Sequence, residues 1–307
     1  MRLRALAPAK VNLSLFLGAT RQDGRHRLVT VFESLSLADE LELVVAGGPA
    51  ASPDPSPSHA ASEDRVICSG VPGDNLAARA LAALRERGWD GPPLRLTIAK
   101  RIPVAAGMGG GSADAAAALR LAMALAPGRA EELDAIASAL GADVPGQLLP
   151  GVALGTGAGE LVERFEPLAP HAFVVVPSAH GLSTADVYRE ADRLGLPRPA
   201  GELDDRHRSL LAALRRGARL PDELVVNDLE PAAVSLCPAV AGALRAVRDV
   251  GAEHVIVSGS GPTVVGIWWG DTAAASAAAA AERLAASHPG ALSATPVSPE
   301  FAAAVLA

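Results

Sequence analysis

Residues 9–17 alternate apolar and polar side chains. Val11, Leu13, Leu15 and Leu17 fall on one side, and Lys10, Asn12 and Ser14 on the other. A period of two predicts a strand, with a cation and an amide side by side on its non-core face. Beyond the Asp23-Gly24 turn, two more strands are predicted over 28–37 and 40–46, with Leu41, Leu43 and Val45 on one face of the second. Strand character resumes at Arg65-Val66-Ile67. Asp74 then opens a helix running to residue 87 and ended by Gly88. Residues 94–98 alternate again. The Ala/Leu run to Leu125 reads as a helix with Ser112 as its N-cap, Asp114 in its first turn and Pro127 beyond its end. A helix over about 130–140 closes at Gly141, and a small-residue strand follows over 152–156. A second half opens with the strand at 173–176. A helix capped by Ser183-Thr184, a helix over 238–250, strands over 254–257 and 263–268, a last helix after Asp271 and a strand near 292–297 complete it. The order strand–helix–strand–strand–helix–strand suits a ferredoxin-like split βαβ unit.

Composition narrows the class. Half the residues are hydrophobic, but many are alanine and aromatics make up only 3%, so the core must be aliphatic. The net charge is −7 with no basic block, which argues against a nucleic-acid partner. Cys68 and Cys237 have no metal-ligand spacing and read as reduced, packed thiols. No sustained apolar stretch follows the N-terminal arginines, and none is long enough to span a bilayer. No signal peptide and no membrane partner are therefore expected, and a cytoplasmic location is. Residues 47–64 are rich in Pro, Ser, Ala and Gly and are expected to form a flexible insertion.

The chemistry concentrates in residues 100–114, where a glycine-rich turn feeds a helix N-terminus. Free amides and the helix dipole there favour an anion such as phosphate. The loop lacks the Gly-Lys-Ser/Thr of a Walker A motif and the third spaced glycine of a dinucleotide fingerprint. Alone, it reads equally as a tight turn before a buried Ala-rich helix. Lys10 alone reads as a solvated strand residue, His26 as a surface histidine, and Asp143 as a helix cap or turn former.

Five segments in one order change that balance: Pro8-Ala9-Lys10-Val11-Asn12-Leu13, Asp23-Gly24-Arg25-His26, the 100–114 loop, Leu140-Gly141-Ala142-Asp143-Val144-Pro145 and Ser258-Gly259-Ser260-Gly261-Pro262. Together they resemble the GHMP kinase superfamily, and within it the branch acting on 4-diphosphocytidyl-2-C-methyl-D-erythritol. The resemblance spans nearly the whole chain except 47–64. It implies an α+β fold of two domains with the site between them: an N-terminal ATP-binding domain over 1–160, and a C-terminal ferredoxin-like domain over 161–307. It implies transfer of the ATP γ-phosphoryl, with Mg²⁺, to the 2-hydroxyl of a cytidine diphosphate-linked small molecule.

Residue by residue, the resemblance makes Lys10 and Asp143 catalytic. It gives ATP binding to Pro103, Val104, Ala105, Ala106, Gly107, Met108, Gly109, Gly110, Gly111, Ser112 and Ala113. No side chain is expected to bind metal directly, Mg²⁺ arriving with ATP and near Ser112. Substrate binding falls to Asn12, Arg25, His26, Thr184 and Tyr188, with His26 reading the cytosine edge and Tyr188 stacking on the base. Phosphoryl transfer needs positioning and charge stabilisation. A carboxylate is a feeble base at neutral pH, so Asp143 would accept the proton late or mainly orient the hydroxyl. Three positions depart from the family pattern: Arg25 stands for a frequent Tyr, Gly146 for a bulky apolar residue and Ala106 for a frequent Gly. Competing readings are a homoserine or phosphomevalonate kinase, which His26 and Tyr188 disfavour, and a nucleotide-binding protein without catalysis, which intact Lys10 and Asp143 disfavour. A dehydrogenase would need the missing glycine.

Overall fold

A computed structural model describes residues 1–46, 64–71, 75–128, 132–178 and 180–307. The expected insertion at 47–64 lies, but for Asp64, outside the described residues, as does the expected helix cap Asp74. The first helix instead begins at Leu76, with Asn75 as its cap: Asn75 Oδ1 accepts from the Ala77 amide at 2.8 Å.

Two antiparallel strands form the spine, β1 (Arg2–Thr20) and β2 (His26–Val45). The two strands expected over 28–46 are thus one continuous strand. The pairing absorbs the interruption by register shifts between Pro8 and Lys10 and between Asn12 and Ser14. Irregular pairing of this kind re-aims side chains, and here it does so at Lys10 and Asn12. β3 (Arg65–Cys68) pairs in parallel with β4 (Leu94–Ala99), and β4 pairs with β2. β5 (Val152–Thr156) pairs with β2 and carries β6 (Leu161–Phe165). β11 (Val305–Leu306) returns from the C-terminus to edge β1. The first sheet thereby takes in two strands that lie beyond residue 160. Neither was legible earlier, since each is short and half polar or exposed.

The other sheet has the order β10 (Leu292–Ala294), β7 (His171–Val176), β9 (Val264–Trp269), β8 (His254–Val257), antiparallel throughout. That order is the ferredoxin-like split βαβ expected from the sequence. Helices α5 (Thr184–Arg193), α6 (Ala200–Ala213), α7 (Glu230–Leu236) and α8 (Ala239–Asp249) lie between β7 and β8, and α9 (Ala273–Ala285) follows β9.

β1 is buried on both faces, not half-solvated. Its odd residues pass through three buried clusters in turn. Leu3, Ala5 and Ala7 pack with α1 (Leu76–Glu86) and α2 (Gly110–Leu125). Ala9, Val11 and Leu13 pack with Phe173, Val175 and Ile267 of the second sheet. Leu15 and Leu17 pack with Val187 of α5. The opposite face carries Lys10, Asn12 and Ser14, all buried beneath loops from both halves of the molecule.

Candidate active site

α2 starts two residues before the expected cap. Gly109, left-handed at φ 69°, is its N-cap, and Ser112 lies inside the first turn. The amides of Gly110, Gly111 and Ser112 therefore have no intrahelical acceptor and face the cleft. Ala113 does not join them: its amide donates to Gly109 O at 2.8 Å and its methyl is buried in the helical core. Asp114 is not in the first turn either. It is buried, and its Oδ2 accepts from Lys100 Nζ at 2.8 Å, while Lys100 also pairs with the buried Asp39. Burial pushes the Asp114 carboxyl up to about 7 in spite of Lys100. Asp39 Oδ1 in turn accepts from the amides of Arg101 and Ile102, at 2.5 and 2.8 Å, and so holds the entry to the glycine loop. The Asp39–Lys100–Asp114 cluster escaped sequence reading because Asp39, on β2, meets the two ends of the 100–114 stretch only in the fold.

The cleft has a volume of about 480 Å³ and runs between the glycine loop, β1 and the second half. Lys10, Asn12, the whole of 103–112, Asp143, Thr184 and Tyr188 line it together. The Lys10 amide donates to Met108 O at 3.0 Å, which ties β1 to the loop. Lys10 Nζ donates to Asn12 Oδ1 at 2.7 Å and lies 3.6 Å from Asp143 Oδ2. Asn12 Nδ2 donates to Thr30 Oγ1 at 2.7 Å, and Thr30 donates to Ser14 O at 2.6 Å. Thr30, missed in the sequence, thus orients Asn12. Asp143 begins the short helix α4 (Val144–Leu148), after α3 (Leu133–Leu140), yet its side chain makes no capping hydrogen bond. The carboxylate is left half-exposed in the cleft, opposite a buried ammonium.

The second half closes over this pair. Gly107, at φ 74°, sits where an added Cβ would lie 2.5 Å from Ser258 O and 2.9 Å from Gly261 O. Ser258 Oγ donates to Gly107 O at 3.2 Å. The two glycine motifs are therefore in backbone contact. Ser260 Oγ lies 3.1 Å from Thr184 Oγ1.

Tyr188 lines the cleft, and burial, with the nearby Asp143 charge, raises its phenol pKa. The His26 ring lies behind it, 5.1 Å between centroids and tilted by 34°. His26 Nε2 is 2.7 Å from Asp192 Oδ1 and 3.2 Å from Thr20 Oγ1. Arg25 is not brought to the cleft. Its guanidinium folds back on Asp23 at 3.3 Å in the β1–β2 hairpin, because that carboxylate is two residues away. Gly146, which replaces a bulky residue, lies under Phe32: a Cβ there would be 2.4 Å from the Phe32 ring. The cleft is also lined by Cys68, Val71, Asn75 and Leu76, which no motif announced.

The model of the GHMP kinases N terminal domain matches residues 75–151, and that of the GHMP kinases C terminal matches 205–286. The 4-diphosphocytidyl-2-C-methyl-D-erythritol kinase of Streptomyces coelicolor is 44% identical over 277 residues, 86% of each chain. The enzyme of that name from Thermobifida fusca is 41% identical, over 83% of each. A crystal structure of 4-(cytidine 5'-diphospho)-2C-methyl-D-erythritol kinase superposes with a TM-score of 0.73 at 34% identity, covering 95% of this chain and 98% of that one. A homoserine kinase from Cytophaga hutchinsonii shares the fold, with a TM-score of 0.61 at 18% identity over 99% of this chain and 97% of that one. With both halves matched by the family models and the relatives aligned along most of its length, the chain belongs to the GHMP kinases.

Proposed function

We propose that this enzyme transfers the γ-phosphoryl group of ATP to the 2-hydroxyl of 4-diphosphocytidyl-2-C-methyl-D-erythritol, a step of isoprenoid precursor synthesis. The observation that carries the reading is the Lys10–Asp143 pair, 3.6 Å apart, facing the free amides that open α2. The phosphate chain of ATP lies along 107–112, where glycine permits close backbone approach. The part of the cleft lined by Cys68, Val71, Asn75 and Leu76 takes the adenine. The cytidyl end lies toward Tyr188 and His26, with Asn12 and Thr184 as polar contacts. Nucleotide binding is thus assigned to the N-terminal part, about 1–160, with the C-terminal part closing the substrate side.

The substrate hydroxyl oxygen attacks the γ-phosphorus, and the bond to the β–γ bridging oxygen breaks. ADP leaves with that electron pair, and Asp143 orients the hydroxyl and takes its proton. Lys10, held by Asn12, stabilises charge on the transferring group. Among the described residues no group of three or more His, Cys, Asp or Glu could hold a metal alone. The donor set suits Mg²⁺ carried in on the ATP phosphates, with the Ser112 hydroxyl as the side chain that would meet it. The cation supplies charge neutralisation there.

The test is incubation with ATP, Mg²⁺ and the cytidyl substrate, read by mass spectrometry. A product heavier by one phosphoryl group, formed only with all three present, supports the reading. Equal turnover of homoserine or phosphomevalonate, or ATP hydrolysis indifferent to the cytidyl substrate, overturns it.

A further inference from the structure

Asn227 stands outside the cleft, just before α7, and is buried at 4% exposure. Its backbone neighbours are fixed by β1: the Leu15 amide donates to Val226 O at 2.7 Å, and the Asp228 amide to Leu15 O at 2.9 Å. Its side chain reaches the other way. Asn227 Nδ2 donates to Val257 O and to Gly259 O, each at 2.7 Å, while Oδ1 accepts from the Leu229 amide at 2.9 Å. Three of the four hydrogen bonds open to an amide are made. One ends on Val257, the last residue of β8, and one on Gly259, in the turn that follows and covers the catalytic pair.

That turn joins the paired strands β8 and β9, with the Ser258 amide donating to Thr263 O at 2.9 Å and Ser260 Oγ 3.1 Å from Thr184 Oγ1, and Asn227 is the side chain that holds its Gly259 carbonyl. Gly259 is left-handed at φ 56°, and a Cβ there would lie 3.0 Å from Gly107 O, 3.4 Å from Asn12 Oδ1 and 3.5 Å from Lys10 Nζ. The Gly259 backbone is thus a wall of the Lys10 pocket. The turn closes internally through Gly261 N to Ser258 O at 2.8 Å, and touches the phosphate loop through Ser258 Oγ and Gly107 O at 3.2 Å. Any displacement of Gly259 moves the surface against which the Lys10 ammonium and the Asn12 amide are packed. A misplacement of about 1 Å can cost on the order of 100-fold in rate.

We propose that Asn227 is a positioning residue for phosphoryl transfer: by holding the Val257 and Gly259 carbonyls it sets the 258–261 turn against Lys10, Asn12 and the phosphate loop. The inference rests on the kinase reading above. Asp228, next in sequence, is the natural control. Its carboxylate holds Arg198 at 2.6 and 2.7 Å and the Leu17 amide at 3.0 Å, all away from the turn. Losing it weakens the same segment without touching Gly259.

The experiment compares Asn227→Asp, Asn227→Ser and Asp228→Asn in the full chain. It reads steady-state kinetics, thermal melting and amide hydrogen exchange of peptides covering 257–262. Asn227→Asp keeps the shape but sets an acceptor against two carbonyls, and Asn227→Ser leaves one shorter hydroxyl donor in place of two amide hydrogens without adding charge. Both are expected to lower kcat by about 10- to 100-fold, with KM for the cytidyl substrate within about threefold. Exchange at 257–262 quickens in both. Asp228→Asn is expected to lower the melting temperature while kcat stays within about twofold and exchange at 257–262 is unchanged. The proposal is overturned if either folded Asn227 variant keeps wild-type kcat, or if all three variants lose activity in proportion to stability. Should the wild-type enzyme fail to phosphorylate the cytidyl substrate, the kinase assignment falls. Hydrogen exchange then still decides whether Asn227 holds the turn.

Discussion

A pH-sensitive contact lies between the two sheets, where Glu33 of β2 meets His171 at the start of β7. Both side chains are buried, 3% and 2% exposed. His171 Nδ1 is 2.7 Å from Ala169 O, and Nε2 is 2.7 Å from Glu33 Oε2. A carbonyl oxygen only accepts, so Nδ1 carries a hydrogen. A carboxylate also only accepts, so Nε2 carries one as well. Both contacts are satisfied together when the ring is an imidazolium beside an ionised Glu33. Burial alone would lower the His171 pKa, but Glu33 and the Ala169 carbonyl more than reverse it, and the net shift is upward. A raised folded-state pKa means that the contribution to stability is whole below the ordinary histidine range. It is lost as pH climbs through the raised value.

His171→Ala leaves the Glu33 carboxylate buried with no charged partner, a cost of about 3–5 kcal/mol. At roughly 2.1 cal/mol/K of unfolding entropy per residue, a chain of this length shifts about 1.5 °C per kcal/mol, so melting should fall about 5–8 °C. Glu33→Gln behaves differently. Its amide donates to the Nε2 of a neutral His171, one hydrogen bond replaces the ion pair, and the loss should stay near 1 kcal/mol. Thermal melts from pH 6 to 9 distinguish the variants. Wild type should lose stability over the alkaline side of that range, and Glu33→Gln should lose less. If Glu33→Gln falls as far as His171→Ala, or keeps the wild-type slope with pH, the ring is not an imidazolium.

Three further outcomes follow from the cleft. Asp143→Asn should remove most turnover while ADP titration shows nearly wild-type affinity, and combining it with Lys10→Met should cost far less than the product of the two losses, because paired groups act as a unit. Near-wild-type turnover of Asp143→Asn would reduce Asp143 to a turn residue. Gly107→Ala, whose Cβ would stand 2.5 Å from Ser258 O, should cut kcat/KM for ATP at least about tenfold, since backbone cannot give way as a side chain can; a variant with unchanged kcat/KM means the two glycine motifs are not in contact. Arg25→Ala should leave KM for the cytidyl substrate within about twofold at low and high salt, because the guanidinium is engaged with Asp23. A several-fold rise would place it in the pocket after all.

Periodicity made most of the scaffold legible. The 152–156 and 254–257 strands stand where alternation or apolar runs placed them, and the split βαβ order was readable because its central strands, β7 and β9, are continuous and apolar. What was not legible depends on tertiary covering. Lys10 and Asn12 sit on a strand face that looks solvated in sequence, and Gly109 and Gly259, from opposite halves of the chain, close against it. Ser112 was a sound cap by residue type, but the left-handed glycine before it starts the helix earlier and converts the serine into a first-turn residue facing the cleft. Asp39, Lys100 and Asp114 carry no local signal, because their meaning arises when β2 folds against the two ends of the 100–114 stretch.

The departures from the family pattern sort by what each position must touch. Ala106 takes a methyl group in place of a frequent glycine, and the methyl is simply buried, with no left-handed backbone to oppose it. Gly146 loses a bulky side chain, and the Phe32 ring stands in the vacated space. Arg25 points to a neighbouring carboxylate and leaves the cleft wall to other groups. Gly107 and Gly259 are different. Each is left-handed and faces main-chain oxygen from the opposite half within 3.0 Å of where a Cβ would be, so no repacking of side chains could absorb a substitution. The residues free to vary are those whose neighbours are side chains. The residues held are those where one backbone meets another, and these are the points at which the two halves of the molecule frame Lys10 and Asp143.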